Sequence, residues 1–149
     1  MRSPRGLDPS ERDEWSACGI KTREDVYDRF VPHFFFGCEG DDRMTSLAFD
    51  SKRNPLGARL NAVYGSDMGH YDLTDLRNAA VEAYESVDDG LMSEEDFRDF
   101  VFVNPIKLHA GMNANFFRGT ILEHEAEKVL VDLGAKEDVR QITSTTATN

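Results

Sequence analysis

The chain has 149 residues, enough for one domain with a buried core. A complete (β/α)8 barrel needs about 250 residues, so this length is too short for that whole fold. The 17 basic and 28 acidic residues give a net charge of −11, which opposes binding to nucleic acid or to anionic membranes. No apolar run is long enough to span a membrane, and the first residues lack the apolar core of a signal peptide. We therefore expect a cytoplasmic protein with neither kind of partner.

The first third of the chain predicts two short helices and a strand. Residues 1–13 are predicted as a loop that leads into a short helix ended by Gly19. Thr22 and Asp25 predict a capping box for a second helix, which Pro32 stops. The run FFFGCE that follows is typical of a strand buried on both faces, as parallel sheets require.

A second strand and a further helix are predicted in the middle of the chain. Residues 44–49 predict a helical turn, and the Asn54-Pro55 pair marks a loop. The run LNAVYG predicts a second buried strand that ends at Gly65. From Thr74 onward, one helical face carries the apolar residues Leu76, Ala79, Ala80, Ala83, Tyr84 and Val87.

The region after this helix predicts two helix boundaries. Gly90 is expected to stop one helix, and Ser93 with Asp96 predicts a capping box for the next. Glu85 could also begin a calcium loop, but Val87 would occupy a ligand position, so the two caps explain the stretch better. On this helix Phe97, Phe100 and Val101 are expected to face inward.

Two further features are predicted towards the end of the chain. The Asn104-Pro105 pair is expected to break the chain and to begin a new helix. Thr120 and Glu123 predict a capping box for a last amphipathic helix, which Gly134 ends. Residues 135–149 carry few apolar side chains and are predicted as a frayed polar tail.

The cysteines and most of the histidines predict no site. Neither Cys18 nor Cys38 lies in a CxxC motif, so both are expected to be reduced and buried. His33, His109 and His124 are expected to be structural, because the chain has neither an HxH nor an HExxH motif.

Acidic residues follow both predicted strands. Asp67 comes directly after the second strand, with His70 three residues later, and Glu39 and Asp41 follow the first strand. Enzymes with α/β folds place catalytic groups at the carboxyl ends of parallel strands. There Asp67 could bind a divalent metal or take a proton from metal-bound water, and His70 could be a ligand, a proton shuttle or a substrate contact. In the alternative interpretation, Asp67 caps a turn and the other side chains are only solvated.

Three segments in this order, FFFGCEGDD, YGSDMGHYD and EDFRDFVFVNPIKLHAGMNANFFRGT, resemble the C-terminal part of the amidohydrolase-related metal-dependent hydrolases. That branch also contains metal-dependent decarboxylases. The resemblance runs from about residue 14 to about residue 134. It implies an α/β fold made of the last two β/α units of a (β/α)8 TIM barrel, an incomplete and helix-rich barrel with closing helices.

The resemblance also implies roles for the acidic residues. Asp67 matches the Asp of the family's last strand, which binds the metal or activates its water, and His70 matches a frequent His of the next loop. With Glu39 and Asp41 these residues would line the cleft for a small-molecule substrate. The family's cofactor is a divalent metal, here expected to be zinc or manganese. The family's Asn at the start of the closing helix matches Asn104, a structural position.

The chain departs from the family in its metal ligands. The HxH of the first strand and the His residues of the fifth and sixth strands have no counterpart here. A catalytic zinc site keeps about three protein ligands, so we expect the isolated chain to bind no metal tightly and to be inactive. The missing strands would also leave an open sheet edge, so we expect the remainder of the barrel or a second copy as a partner. A non-catalytic acidic interaction module and a split enzyme completed by a separate chain are alternatives.

Overall fold

A computed structural model describes residue 15, residues 17–71, residue 75 and residues 77–146, with side chains described up to residue 134. The helices are α1 (Arg23–Phe30), α2 (Ala79–Asp88), α3 (Glu94–Arg98), α4 (Asn104–Met112) and α5 (Glu123–Thr146), and the strands are β1 (Phe35–Glu39) and β2 (Asn61–Gly65). Short 3-10 helices occupy Arg43–Phe49 and Pro55–Gly57, and a π-helical turn over Asp99–Val103 joins α3 to α4. Among the helices so described, none is both long and apolar enough to cross a bilayer.

Strands β1 and β2 form a two-stranded parallel sheet. Their register pairs Phe35 with Asn61 at one end and Glu39 with Gly65 at the other. Both predicted strands are therefore confirmed, and both end at the same level. Because the strands are parallel and in register, the residues that follow Glu39 and those that follow Gly65 emerge at one edge of the sheet.

The main core lies between β2 and the helical path that crosses it. Ala62 of β2 is fully buried and packs with Phe49, Met92 and Phe100. The Phe100 ring meets Phe49 and Tyr64 edge-on, with centroid distances of 6.5 and 5.7 Å. A second cluster joins α4 to α5 and is formed by Val103, Ile106, Ala126 and Val129. The sheet is thus held from one side by α3, the π-helical turn and α4.

The predicted start of a helix at Asn104, with Pro105 in its first turn, is confirmed. The predicted break of the chain before it is wrong, because α3, the π-helical turn and α4 form a continuous helical path. Pro105 has no N–H to donate, and the wider turn before it lets the helix continue past the ring. Asn104 itself keeps helical dihedrals, φ −66° and ψ −41°. Its buried side chain donates from Nδ2 to the Ala62 oxygen at 2.9 Å, which fastens α4 to the centre of β2.

The helix boundaries predicted at Thr22, Gly90 and Ser93 are confirmed. Capping boxes form at Thr22 with Asp25 and at Ser93 with Asp96, with both reciprocal hydrogen bonds present. Gly19 has a φ of +67°, but residues 17–19 form a turn and not the end of the predicted helix. Gly90 has a φ of +69°, the left-handed conformation that ends helices. The cap at Gly90 and the box at Ser93 account for the stretch that resembled a calcium loop.

Helix α5 differs from its prediction at both ends. Glu123 accepts a hydrogen bond from the N–H of Gly119 at 2.8 Å, and not from Thr120 as a capping box requires. The helix does not end at Gly134 but continues to Thr146. A glycine inside a helix costs only about 1 kcal/mol relative to alanine, and it ends a helix only in a left-handed conformation. The φ of Gly134 is not positive, so this residue does not act as a helix cap.

Several predicted side chains are more exposed than expected. Phe34 lies outside β1 and is 51% exposed, and the residues of β1 are at most half-buried, so the strand is not covered on both faces in the described structure. Cys18 is exposed and Cys38 is half-buried, and both are free thiols, so the prediction of burial is wrong for Cys18. His109 stacks on Phe116 at 4.5 Å, in agreement with a structural role.

Other side chains follow the expected pattern. Phe100 is buried, while Phe97 and Val101 are half-buried and pack against the same core. On α2, Ala79 and Ala83 are buried as predicted, whereas Ala80 is exposed. The predicted loop at residues 1–13 lies outside the described residues, as do Thr74 and Leu76 at the predicted start of this helix.

Candidate functional site

Asp67 lies two residues beyond the end of β2, in a turn that the backbone enters with a left-handed conformation. Its φ is +52°, which few residues other than Gly, Asn and Asp adopt without strain. The turn is closed by a hydrogen bond from the His70 N–H to the Asp67 oxygen at 3.2 Å. The sequence Gly-Ser-Asp therefore ends the strand and turns the chain so that residue 70 comes back beside residue 67.

The side chains of Asp67 and His70 meet across this turn. The distance between His70 Nδ1 and Asp67 Oδ1 is 2.6 Å. The Asp67 side chain is 23% exposed and the His70 side chain is 69% exposed, so the carboxylate lies towards the protein and the ring towards solvent. Since Nδ1 faces the carboxylate, Nε2 is the ring nitrogen that remains available to an incoming group.

A small cleft opens at the carboxyl edge of the sheet, where the turns that follow the two strands meet helix α2. It is lined by Gly40, Asp41, Tyr64, Ser66, Asp67, Ala79 and Glu82. Its volume of about 40 Å³ has room for a few water molecules or an ion, well below the size of most small-molecule sites. The cleft thus resembles one part of a site more than a complete one.

The structure brings together two of the four predicted site residues in the wall of this cleft. Asp41 and Asp67 come from the turns after β1 and β2, as expected for parallel strands in register. His70 does not line the cleft but contacts Asp67 from the solvent side. Glu39 is exposed at the end of β1 and is also absent from the lining. Asp41 and Asp67, two of the acidic residues predicted at the carboxyl edge of the sheet, therefore lie in the wall of one cleft.

Sequence reasoning missed the contribution of α2 and of the β2 side chains to the cleft. Glu82 follows the buried Ala79 by one helical turn, so its position on the inward side of α2 could have been read from that spacing. Tyr64 points from β2 into the same cleft. Burial raises the pKa of the Tyr64 hydroxyl above its ordinary value, and the Glu82 carboxylate adds to this rise. Tyr64 therefore stays a neutral hydrogen-bonding group near neutral pH.

Gly40 allows the two turns and α2 to approach one another. A Cβ at this position would lie 2.8 Å from Cε2 of Tyr64 and 3.1 Å from Cβ of Ala83. Real Cβ atoms do not approach a ring carbon so closely, so any larger residue would push the Tyr64 ring or α2 away. Gly40, the second glycine of GCEGDD, is thus required for the packing of the cleft and is not only a turn residue.

The donor atoms of the described residues at this edge do not make up a complete metal site. Asp67 and His70 are in contact with each other, but residues 17–134, apart from the undescribed positions, contain no group of three His, Cys, Asp or Glu side chains placed to hold an ion. A catalytic zinc needs about three protein ligands. The arrangement can supply at most part of such a ligand set.

No protein-family model, curated protein or solved structure matches the chain.

Proposed function

We propose that the chain is the C-terminal α/β part of a metal-dependent hydrolase or decarboxylase. In this proposal it supplies Asp67 and His70 to a site for a small-molecule substrate, and further β/α units supply the remaining ligands. The two-stranded sheet would then be the end of a (β/α)8 barrel, and the protein would be cytoplasmic.

The observation that carries the proposal is the contact between Asp67 and His70 at the carboxyl edge of two parallel strands. Asp41 and Asp67 follow the two paired strands and line the same cleft at that edge. The left-handed backbone at Asp67, which Asp adopts more readily than most residues, turns the chain so that His70 lies beside the carboxylate. Together with the three sequence segments that resemble the amidohydrolase-related family, this geometry supports a role for Asp67 in chemistry.

Asp67 and His70 would have different roles, because their side chains differ in exposure. Asp67, mostly covered, would orient the His70 ring through Nδ1. His70, mostly exposed, would present Nε2 to a substrate or to a group bound by the neighbouring strands. Asp41 and Glu82 would keep the wall of the cleft negative, which favours a cation in it. Since two donors hold a metal weakly, the chain alone is expected to be inactive.

Manganese titration followed by NMR tests the location of the site. Mn²⁺ broadens the signals of nearby nuclei, so at millimolar concentrations it should broaden Gly65 to His70 first. In the Asp67→Asn variant this selective broadening should disappear, while Asp88→Asn on the far end of α2 should leave it unchanged. Selective broadening elsewhere would contradict the proposal. A zinc or manganese dissociation constant below about 1 μM would show that the chain holds a complete site.

A second candidate is a non-catalytic acidic interaction module. It is favoured by the incomplete donor set and by the net charge of −11. The coding sequence upstream of Met1 distinguishes the two: an in-frame extension with HxH and further histidines supports the hydrolase, and a start with its own ribosome-binding signal supports the module. A split enzyme would show metal-dependent activity only after mixing with its completing chain.

A further inference from the structure

Among the residues that the structure describes, no strand pairs with the outer edge of β1, on the side away from β2. Apart from the ladder with β2, the backbones of Phe35 and Gly37 form no hydrogen bond with any described residue. Gly37 is exposed, and a Cβ there would meet no atom within 4 Å. The outer side of β2 differs, because Asn104 donates to the oxygen of Ala62 there. Unpaired strand edges of this kind are templates for another strand.

An apolar surface adjoins this open edge. The Phe34 ring stacks on the Phe30 ring at 4.8 Å, and the two residues are 51% and 40% exposed. Val26 of α1 is also exposed, and α1 has no buried residue. We name Val26, Phe30, Phe34 and the outer edge of β1 the β1 surface. A helix that buries nothing beside an unpaired strand indicates a surface that is incomplete without a partner.

Charge and symmetry distinguish between the possible partners. Glu39 ends β1 as an exposed carboxylate, and no Lys or Arg of the described chain lies within ion-pair distance of it. A second copy fits poorly, because a two-fold axis pairs edge strands antiparallel, and the register that pairs the whole of β1 would place Glu39 beside Phe35 of the other copy. Two chains of net charge −11 also repel each other. The geometry fits a strand of a different polypeptide.

We propose that the β1 surface binds an apolar β-strand of a partner polypeptide, parallel to β1 and carrying a basic residue beside Glu39. Main-chain hydrogen bonds to Phe35 and Gly37 would give affinity, and the basic residue would set the register. The parallel direction rests on the proposed function, since only a parallel neighbour brings its own carboxyl end to the edge that carries Asp67. The binding of an apolar strand does not depend on metal chemistry.

NMR with synthetic ten-residue peptides of alternating Val and Thr, ending in Lys, tests the proposal. At millimolar peptide the amide signals of Phe35 and Gly37 should shift. A spin label at the peptide's C-terminus should broaden Glu39, and one at its N-terminus should broaden Phe34. Unshifted β1 amides, or the reverse broadening of an antiparallel strand, would overturn the proposal.

A charge exchange supplies the matched control. Glu39→Lys should weaken binding of the Lys peptide about threefold and strengthen binding of the same peptide ending in Glu by a similar factor. Equal binding of both peptides by both proteins would overturn the role of Glu39. The Asp67→Asn variant should bind the Lys peptide normally. Peptide binding with no manganese effect at Asp67 would therefore reject the proposed function alone, and the opposite result would reject only the β1 surface.

Discussion

The Nδ1 atom of His70 lies 2.6 Å from Oδ1 of Asp67, and the two residues are also joined through the backbone by a hydrogen bond of 3.2 Å. One turn thus holds both side chains in place. The turn requires a left-handed backbone at Asp67, whose φ is +52°, and Asp adopts this conformation more readily than most residues. This residue must satisfy a backbone requirement and provide a carboxylate, and the two requirements can be separated by substitution.

Substitution of Asp67 by Val should destabilise the fold more than substitution by Asn. Asn adopts the left-handed conformation readily, whereas a β-branched residue does so only with strain of about 1–3 kcal/mol. We expect a loss of about 1–2 kcal/mol for Asp67→Val and less than about 0.5 kcal/mol for Asp67→Asn in urea unfolding. Equal losses in the two variants would show that the carboxylate, and not the backbone conformation, stabilises the turn.

Gly40→Ala should open the cleft and destabilise the protein. The added methyl would lie 2.8 Å from the Tyr64 ring and 3.1 Å from Ala83, so one of them must move. Overpacking of this kind costs about 1–3 kcal/mol. The matched control is Gly37→Ala, where the added methyl meets nothing within 4 Å, and we expect a change of less than about 0.5 kcal/mol. If the two variants have the same urea midpoint, the close approach at Gly40 does not stabilise the fold.

Local features of the fold could be predicted because each depends on a few neighbouring residues. A capping box needs only Thr22 with Asp25, and a left-handed helix end needs only Gly90. The strands could also be predicted from the sequence, because a short apolar run between turn residues is typical of a buried strand. The acids at the shared edge followed from parallel pairing alone.

Features that depend on distant contacts could not be predicted. The helical path through Pro105 relies on a π-helical turn and on the hydrogen bond between Asn104 and Ala62, residues that are far apart in the chain. The approach of Glu82 to Asp67 requires knowledge of where α2 packs. The direct contact of His70 with Asp67 depends on the backbone conformation at one residue, which spacing does not determine.

Asn104→Ala should destabilise the protein by about 1–3 kcal/mol, because the buried oxygen of Ala62 would lose its donor from outside the sheet. The side chain of Asn104 is 5% exposed and Ala62 is fully buried, so water does not replace the lost bond easily. Asn78→Ala is the control, since Asn78 is exposed and its side chain makes no capping hydrogen bond. Urea unfolding of both variants measures the difference. A loss no larger for Asn104→Ala than for Asn78→Ala would mean that α4 is fastened to β2 by apolar packing alone.

Acid should remove the contribution of Asp96 to stability. Partial burial would raise the pKa of this carboxyl, but hydrogen bonds from Ser93 and from the Arg59 guanidinium outweigh burial and hold the pKa below its ordinary value. A carboxyl whose pKa is lower in the folded than in the unfolded state, where it is about 4, stabilises the fold above that pH. The stabilisation is lost as the pH falls through the folded pKa. The difference in unfolding free energy between the wild type and Asp96→Asn should therefore shrink between about pH 6 and pH 3.

The control for this pH series is Glu95→Gln, which removes an exposed acid from the same helical turn. Urea unfolding of the three proteins at each pH compares Asp96 with an exposed acid one residue away. Both variants remove one negative charge from the same turn, so effects of net charge cancel in the comparison. The advantage of the wild type over Asp96→Asn should shrink with acid relative to its difference from Glu95→Gln. An advantage over Asp96→Asn that is constant or grows towards pH 3 would mean that the Asp96 contacts do not favour its ionised form.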